Sequence, residues 1–170
     1  MTPSADLASV ELRRLRPSDE GRMRRLFHRL SPETVYRRFL TSYSDPEPLR
    51  PLLQVDDVRR VAIAAVDPDG EIIGVGRYGR LTAEPATAEV AVVVEDSHQG
   101  RGLGTRLLQE VGDQARAAGV RRLVATVLAD NPASVRMLQR VFPQLTMRRD
   151  GGLYEIEVDL AHGRPALPLA

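Results

Sequence analysis

The sequence predicts a mixed α/β layer fold, on three observations. Short β-branched runs recur along the chain, and stretches with apolar residues at helical spacing separate them. One valine-rich run, Val90 to Val94, passes through three closely spaced glycines straight into the most regular helical pattern of the sequence. At 170 residues a single domain is the natural count, with its ordered core expected over about residues 9–160.

Val10, Leu12 and Leu15, interspersed with arginines, mark a first strand, and Pro17-Ser18-Asp19 follows as a turn and helix start. Met23, Leu26, Phe27 and Leu30 recur at helical spacing. Ser31-Pro32-Glu33 reads as an N-cap with proline at the first helical position, so a second short helix should carry Val35, Phe39 and Leu40 on its apolar side. Pro46, Pro48 and Pro51 predict a loop. Arg60 to Val66 and Glu71 to Leu81 flank Asp67-Pro68-Asp69-Gly70, an expected antiparallel hairpin. Thr87 to Val94 forms the next strand. Leu103, Leu107, Leu108, Val111, Ala115 and Ala118 lie on one face of a helix ending near Gly119. Arg122 to Leu128 has the composition of a buried strand, and Asn131-Pro132 caps a shorter helix carrying Val135, Leu138 and Val141. Leu145 to Arg149 and Leu153 to Leu160 predict a last hairpin across Asp150-Gly151-Gly152. The tail from Ala161 is expected to be loose, and there are no internal repeats.

Composition narrows the function classes. Hydrophobic residues make up 42% and charged residues 28%, ordinary values for a globular chain, and no stretch approaches the ~20 apolar residues of a membrane span. The first residues carry no basic region followed by an apolar core, so a cytoplasmic protein is expected. There is no cysteine, which excludes disulfides and thiolate catalysis. All 24 basic residues are arginine and 23 acids nearly balance them, giving a net charge of +1 and no support for nucleic acid as the main partner. His28, His98 and His162 show no metal-ligand spacing, and no nucleophilic triad is apparent. No metal is expected.

Gln99-Gly100-Arg101-Gly102-Leu103-Gly104, leading into Thr105, is suited to a pyrophosphate. Glycine removes side chains where backbone must approach a ligand and permits positive φ at little cost. The helix that follows adds unpaired N–H groups and the positive end of its dipole. A glycine-rich turn with no ligand is the alternative reading. A P-loop would need Gly-Lys-Ser/Thr, and the chain has no lysine; a dinucleotide fingerprint would need Gly-x-Gly-x-x-Gly at the first strand of a parallel unit.

Gln-x-x-Gly-x-Gly after an apolar strand resembles the acyl-CoA-binding signature of the GNAT superfamily of N-acyltransferases, and the order of elements resembles that fold over essentially the whole length. The resemblance implies a central, mostly antiparallel sheet of about seven strands with a splayed pair, flanked by about four helices. It implies acetyl-CoA as cosubstrate, with Gln99 to Thr105 cradling its pyrophosphate and Val92 and Val94 backbone groups pairing with pantetheine amides. A main-chain N–H near Val92 or Val93 would face the thioester oxygen. Arg101 or Arg106 either adds a phosphate contact or is plain solvated surface. The valines are equally expected to pack into the core.

Glu89 stands among Ala88, Val90 and Ala91, where an acid is unfavourable to bury without a partner. An amine with a pKa of ~10.4 is almost wholly protonated at neutral pH, so acetyl transfer needs a base, and the resemblance implies Glu89 in that role. The competing reading is an exposed strand-edge carboxylate. Glu95 and Asp96 read as turn residues, with Glu95 as fallback base. Asn131 and Ser134 match the second cofactor segment of the family, where Asn131 either contacts pantetheine or simply caps its helix. The tyrosine that many members place seven residues after the asparagine as general acid is Leu138 here, and the usual Gly-Phe ending is Phe142-Pro143. A thiolate with a pKa near ~8.5 can leave without an acid, so these departures do not exclude activity.

Leu30 to Phe39, in the order Leu-Ser-Pro-Glu-Thr-Val-Tyr-Arg-Arg-Phe, resembles a segment of bacterial Pat-type protein lysine acetyltransferases. The expectation is therefore direct acetyl transfer from acetyl-CoA to an amine, with a protein lysine favoured and a small-molecule amine as alternative. A noncatalytic acyl-CoA-binding regulatory domain is the rival from another class. Lacking lysine, the chain could not acetylate its own side chains.

Overall fold

The computed structural model describes residues 6–39 and 50–162. Its strands are β1 (Glu11–Arg14), β2 (Arg60–Val66), β3 (Ile72–Arg80), β4 (Thr87–Val94), β5 (Arg122–Leu128), β6 (Thr146–Asp150) and β7 (Leu153–Asp159). The helices are α1 (Glu20–Arg29), α2 (Pro32–Phe39), α3 (Arg50–Leu53), α4 (Leu103–Ala117) and α5 (Pro132–Val141). The strands form one seven-stranded sheet in the order β1-β2-β3-β4-β5-β7-β6. Every neighbouring pair is antiparallel except β4 and β5, which the α4 crossover joins in parallel.

Both faces of the central strands are covered, which is why β2 and β4 read as nearly unbroken apolar runs. Val61, Ile63 and Ala65 of β2 point to one side with Leu103, Leu107, Leu108 and Val111 of α4, Leu138 and Val141 of α5, and Phe142 just after it. Ala62, Ala64 and Val66 point to the other, against Met23, Leu26 and Phe27 of α1, Val35 of α2 and Leu52 of α3. Strand β4 follows the same alternation: Ala88, Val90 and Val94 face α4, whereas Val93 faces α1 and α2. Glu89 and Ala91 share the parity of Val93 and therefore stand on the α2 side. Each fully buried leucine of this kind contributes ~1.5–3 kcal/mol.

The structure departs from the sequence reading in one element. Pro51 lies in the one-turn helix α3 rather than in loop, because a proline in the first turn has no N–H to lose and its fixed φ suits a helix start. Among the described residues that makes five α-helices, where about four were expected. The expected loop at Pro46 and Pro48, and Leu40 at the end of α2, lie outside the described residues.

Asp19, 1% exposed, ties β1 to α1. Arg13 donates to its two oxygens at 2.8 Å each, the Arg16 amide donates at 2.9 Å, and Arg22 adds a contact at 3.3 Å. The Arg13 hydrogen bonds, opposed by burial and reinforced by the Arg16 amide, hold its carboxyl at about 2. A folded pKa below the ordinary carboxylate value gives stability that is complete above ~4 and fades as pH falls toward 2. Asp19→Asn is expected to lose ~2 kcal/mol at neutral pH in urea titrations, and the gap to the parent should close between pH ~4 and ~2.

Candidate active site

Strand β4 pairs with β3 along its whole length, from Gly74 opposite Val94 to Arg80 opposite Ala88. On its other side it pairs with β5 only at Thr87, Ala88 and Glu89, opposite Arg122, Leu123 and Val124. Beyond Glu89 the two strands part. Backbone groups on the β5 side of Val90 to Val94 are thereby left without a ladder partner, in a sheet where such groups are normally paired. The fork opens into an inner cleft lined by Val90, Ala91, Val92, Thr126, Ser134 and Leu138, with Arg37 and Arg38 entering from α2. Glu89, the last paired residue of β4, is exposed at the point of divergence.

An outer groove of about 380 Å³ continues from the fork past Val92, Val93 and Val94 to Gln99, Gly100, Gly102, Gly104 and Thr105. Gly100 and Gly102 take φ of +73° and +88°, the left-handed region that side chains penalise. Gly102 is the N-cap of α4 and offers no capping side chain, so the first amides of the helix stay available to a ligand. Gly104 serves a different purpose. A Cβ there would lie 2.8 Å from the Met137 sulfur, so glycine permits the close approach of α5 that forms the far wall.

The loop is anchored by side chains of the turn and of α2. Gln99 donates to the Val94 carbonyl at 2.9 Å and to the Thr34 hydroxyl at 3.2 Å. Asp96 accepts from the Ser31 amide at 2.9 Å, the Ser31 hydroxyl at 2.7 Å and the Thr34 hydroxyl at 2.9 Å. Burial pushes the Asp96 carboxyl up, but these donors together hold it below the usual range. Glu95 pairs with Arg29 at 3.0 Å and is 13% exposed at its side chain. That ion pair engages it away from the fork, which corrects its reading as a fallback base.

Asn131 is 7% exposed and caps α5, accepting from the Ser134 amide at 3.3 Å while donating to the Ser134 hydroxyl at 2.8 Å. Both residues also line the groove, so capping and a place beside a ligand coexist. Arg101 is exposed on the loop. Arg106 donates to the carbonyls of Leu7 at 2.6 Å and Val10 at 3.5 Å, an N-terminal tether that removes it as a phosphate contact. Leu138, seven residues after Asn131, is buried core at 4% exposure.

Thr34, Arg37, Arg38, Arg136 and Arg140 line the groove, and the sequence reading had assigned none of them there. Among the described lining residues every ionisable side chain is an arginine. The concentration of one sign in a cleft focuses a positive potential on it. For Arg136 and Arg140 a signal existed: they lie four apart with Met137 on the helix that faces the glycine loop. For Arg37 and Arg38 only the tertiary placement of α2 reveals it.

An unpaired strand edge, uncapped helix amides beside two left-handed glycines and an all-arginine lining fit an extended ligand with a polyphosphate end. The model of the acetyltransferase (GNAT) family matches residues 23–142. The chain is 34% identical over 154 residues to the acetyltransferase Pat of Mycolicibacterium smegmatis, covering 86% of this chain and 45% of that protein. It is 35% identical over 82 residues to an L-methionine sulfoximine/L-methionine sulfone acetyltransferase of Pseudomonas paraeruginosa, covering 46% of this chain and 48% of that protein. The chain thus spans about half the length of these two relatives. The GNAT domain of S. lividans PAT superposes with a TM-score of 0.80 at 31% identity, covering 88% of this chain and 90% of that one.

Gly102→Ala, which puts a Cβ on a backbone at φ +88°, should cost ~1 kcal/mol in strain and lower the melting temperature by ~2–4 °C. Calorimetry should show about a tenfold weaker affinity for acetyl-CoA if the loop amides hold its pyrophosphate. The fork, the glycine cradle and the family match together identify the chain as a member of the GNAT family of N-acetyltransferases, enzymes whose cosubstrate is acetyl-CoA.

Proposed function

We propose that this acetyltransferase delivers the acetyl group directly to a lysine side chain of a protein, with Glu89 as general base. The observation that carries the reading is the exposed Glu89 carboxylate at the divergence of β4 and β5, where a thioester lying along Val92 and Val93 would end. The amine nitrogen attacks the thioester carbon, its proton passes to Glu89 directly or through water, and the tetrahedral intermediate collapses by breaking the C–S bond. A main-chain N–H at Val92 or Val93 would stabilise the oxyanion. Leu138 offers no proton, so coenzyme A departs as thiolate. Similarity to Pat over most of the chain supports a protein acceptor. Similarity to the methionine sulfoximine acetyltransferase over 46% of the chain favours a second reading, a free amino acid.

Incubation of the purified chain with acetyl-CoA and either cell proteins or a metabolite pool, read by mass spectrometry and thiol release, separates these acceptors. Glu89→Gln should lower the single-turnover rate ~10²- to 10⁴-fold and abolish its rise with pH, with acetyl-CoA affinity kept. A retained rate with an unchanged pH profile would remove Glu89 from the mechanism.

A further inference from the structure

Two arginines on the same side of the sheet as Glu89 are given no role by the transfer steps proposed above. Arg38, on α2, lines both the inner cleft and the outer groove, with its guanidinium 4.9 Å from the centre of the Phe39 ring. Arg77, on β3, shares the α2 face of the sheet with Glu89, by the pairing of Gly79 with Glu89 and of Arg77 with Ala91. Its guanidinium folds back along Gly79. The Nη2 atom lies 3.7 Å from the point that a Cβ on Gly79 would occupy, so a long side chain opposite Glu89 would displace it.

Among the described residues neither guanidinium has an ion-pair partner, in contrast to their neighbours. Arg29 holds Glu71 and Glu95, Arg25 holds Glu71, and Arg37 holds Glu33. Burial pushes Arg38 down to about 10, the like charge of Arg77 adds to this, and Glu89 opposes it. Arg77 is likewise lowered by burial, with Glu89 opposing and Arg60 adding. Two desolvated positive charges therefore share the field of one carboxylate. A half-buried charge without an ion pair calls for a compensating partner, and beside Arg38 that space is open cleft.

We propose that Arg38 and Arg77 form a carboxylate-binding site at the acceptor end of the cleft, selecting amines that carry a carboxylate a few bonds from the nitrogen. This rests on the reading that the amine arrives at Glu89. Guanidinium forks bind carboxylates through paired N–H groups, which a lone ammonium does not reproduce. The carboxylate comes either from the α-carboxyl of a free amino acid or from an Asp or Glu side chain flanking a target lysine. The same two charges disfavour the ammonium form of the incoming amine, so they hold the acceptor and ease its deprotonation together.

The test uses the purified chain and two matched comparisons: L-α-amino acids against their α-carboxamides, and a lysine peptide flanked by Glu against one flanked by Gln. In one of them kcat/KM should favour the carboxylate at least ~10-fold, and the comparison that responds names the source. Arg38→Met and Arg77→Met should each cut that preference below ~3-fold, chiefly through KM, and Arg77→Met, which lies outside the groove lining, should keep acetyl-CoA affinity within ~2-fold. Arg77→Lys, which keeps the charge and loses the fork, should fall between; it also serves should a methionine variant not fold. Calorimetric binding of the N-acetylated products reads the same site without turnover. Carboxylate-dependent product binding that Arg77→Met abolishes, in a protein that acetylates nothing, would uphold the site and discard the transfer reading. Turnover with no carboxylate preference in either comparison would overturn the site and keep transfer. Loss of acetyl-CoA affinity in Arg77→Met would also overturn it, by assigning that arginine to the cosubstrate.

Discussion

The site exists because β4 and β5 stop pairing after three residues. Strand β4 keeps all of its bonds to β3, and β5 keeps all of its bonds to β7, so neither strand frays. The sheet instead divides between them. What is lost is one run of ladder bonds, and the exposed groups must find another partner or water. An extended ligand with amides of its own satisfies the demand in the way a further strand would. Everything else at the site, the arginine lining, the glycine turn and Glu89, takes its position from that fork.

Charge is sorted around the fork with an economy that only the folded chain displays. Net charge is +1, yet the groove is lined by arginine without a described acid. Nearby acids are engaged elsewhere: Asp96 in fastening the turn to the start of α2, and Glu95 and Glu71 in ion pairs with α1. Those bonds do two things at once. They fix the glycine turn and α2 on either side of the groove, and they keep negative charge out of a cleft that must admit phosphates. Glu89 is the carboxylate left at the inner end, exposed where β4 and β5 part.

Legibility in the sequence followed the range of the interactions involved. Strands Thr87–Val94 and Arg122–Leu128 were readable to the residue because each is a short run dominated by valine, leucine and alanine. The turn into α4 was readable because positive φ selects glycine locally, at Gly100 and Gly102. Glu95 sits in the turn where the sequence puts it, but its ion pair with Arg29, distant in the chain, is reported by no local pattern. Arg106 was misjudged for the same reason, since it reaches back to Leu7 and Val10. Arg38 and Arg77 belong to a helix and a strand that meet only in the folded sheet, and in an all-arginine sequence neither stands out.

Two glycines of α4 make room for side chains that pack from α5 and from the residue after it. At Gly104 a Cβ would meet the Met137 sulfur at 2.8 Å; at Gly112 it would meet the Phe142 ring at 2.9 Å. The Phe142-Pro143 ending, unlike the Gly-Phe of the family pattern, is thus a packing device: a fully buried ring seated against a glycine. Leu138 is part of the same adaptation. It commits the middle of α5 to the core and leaves no acid beside the fork. In the transfer proposed above the sulfur leaves as an anion, and the positive lining of the groove would stabilise it as the C–S bond breaks. Electrostatics then takes over a task that a tyrosine proton performs elsewhere in the family, which is why a buried leucine at this place is compatible with catalysis.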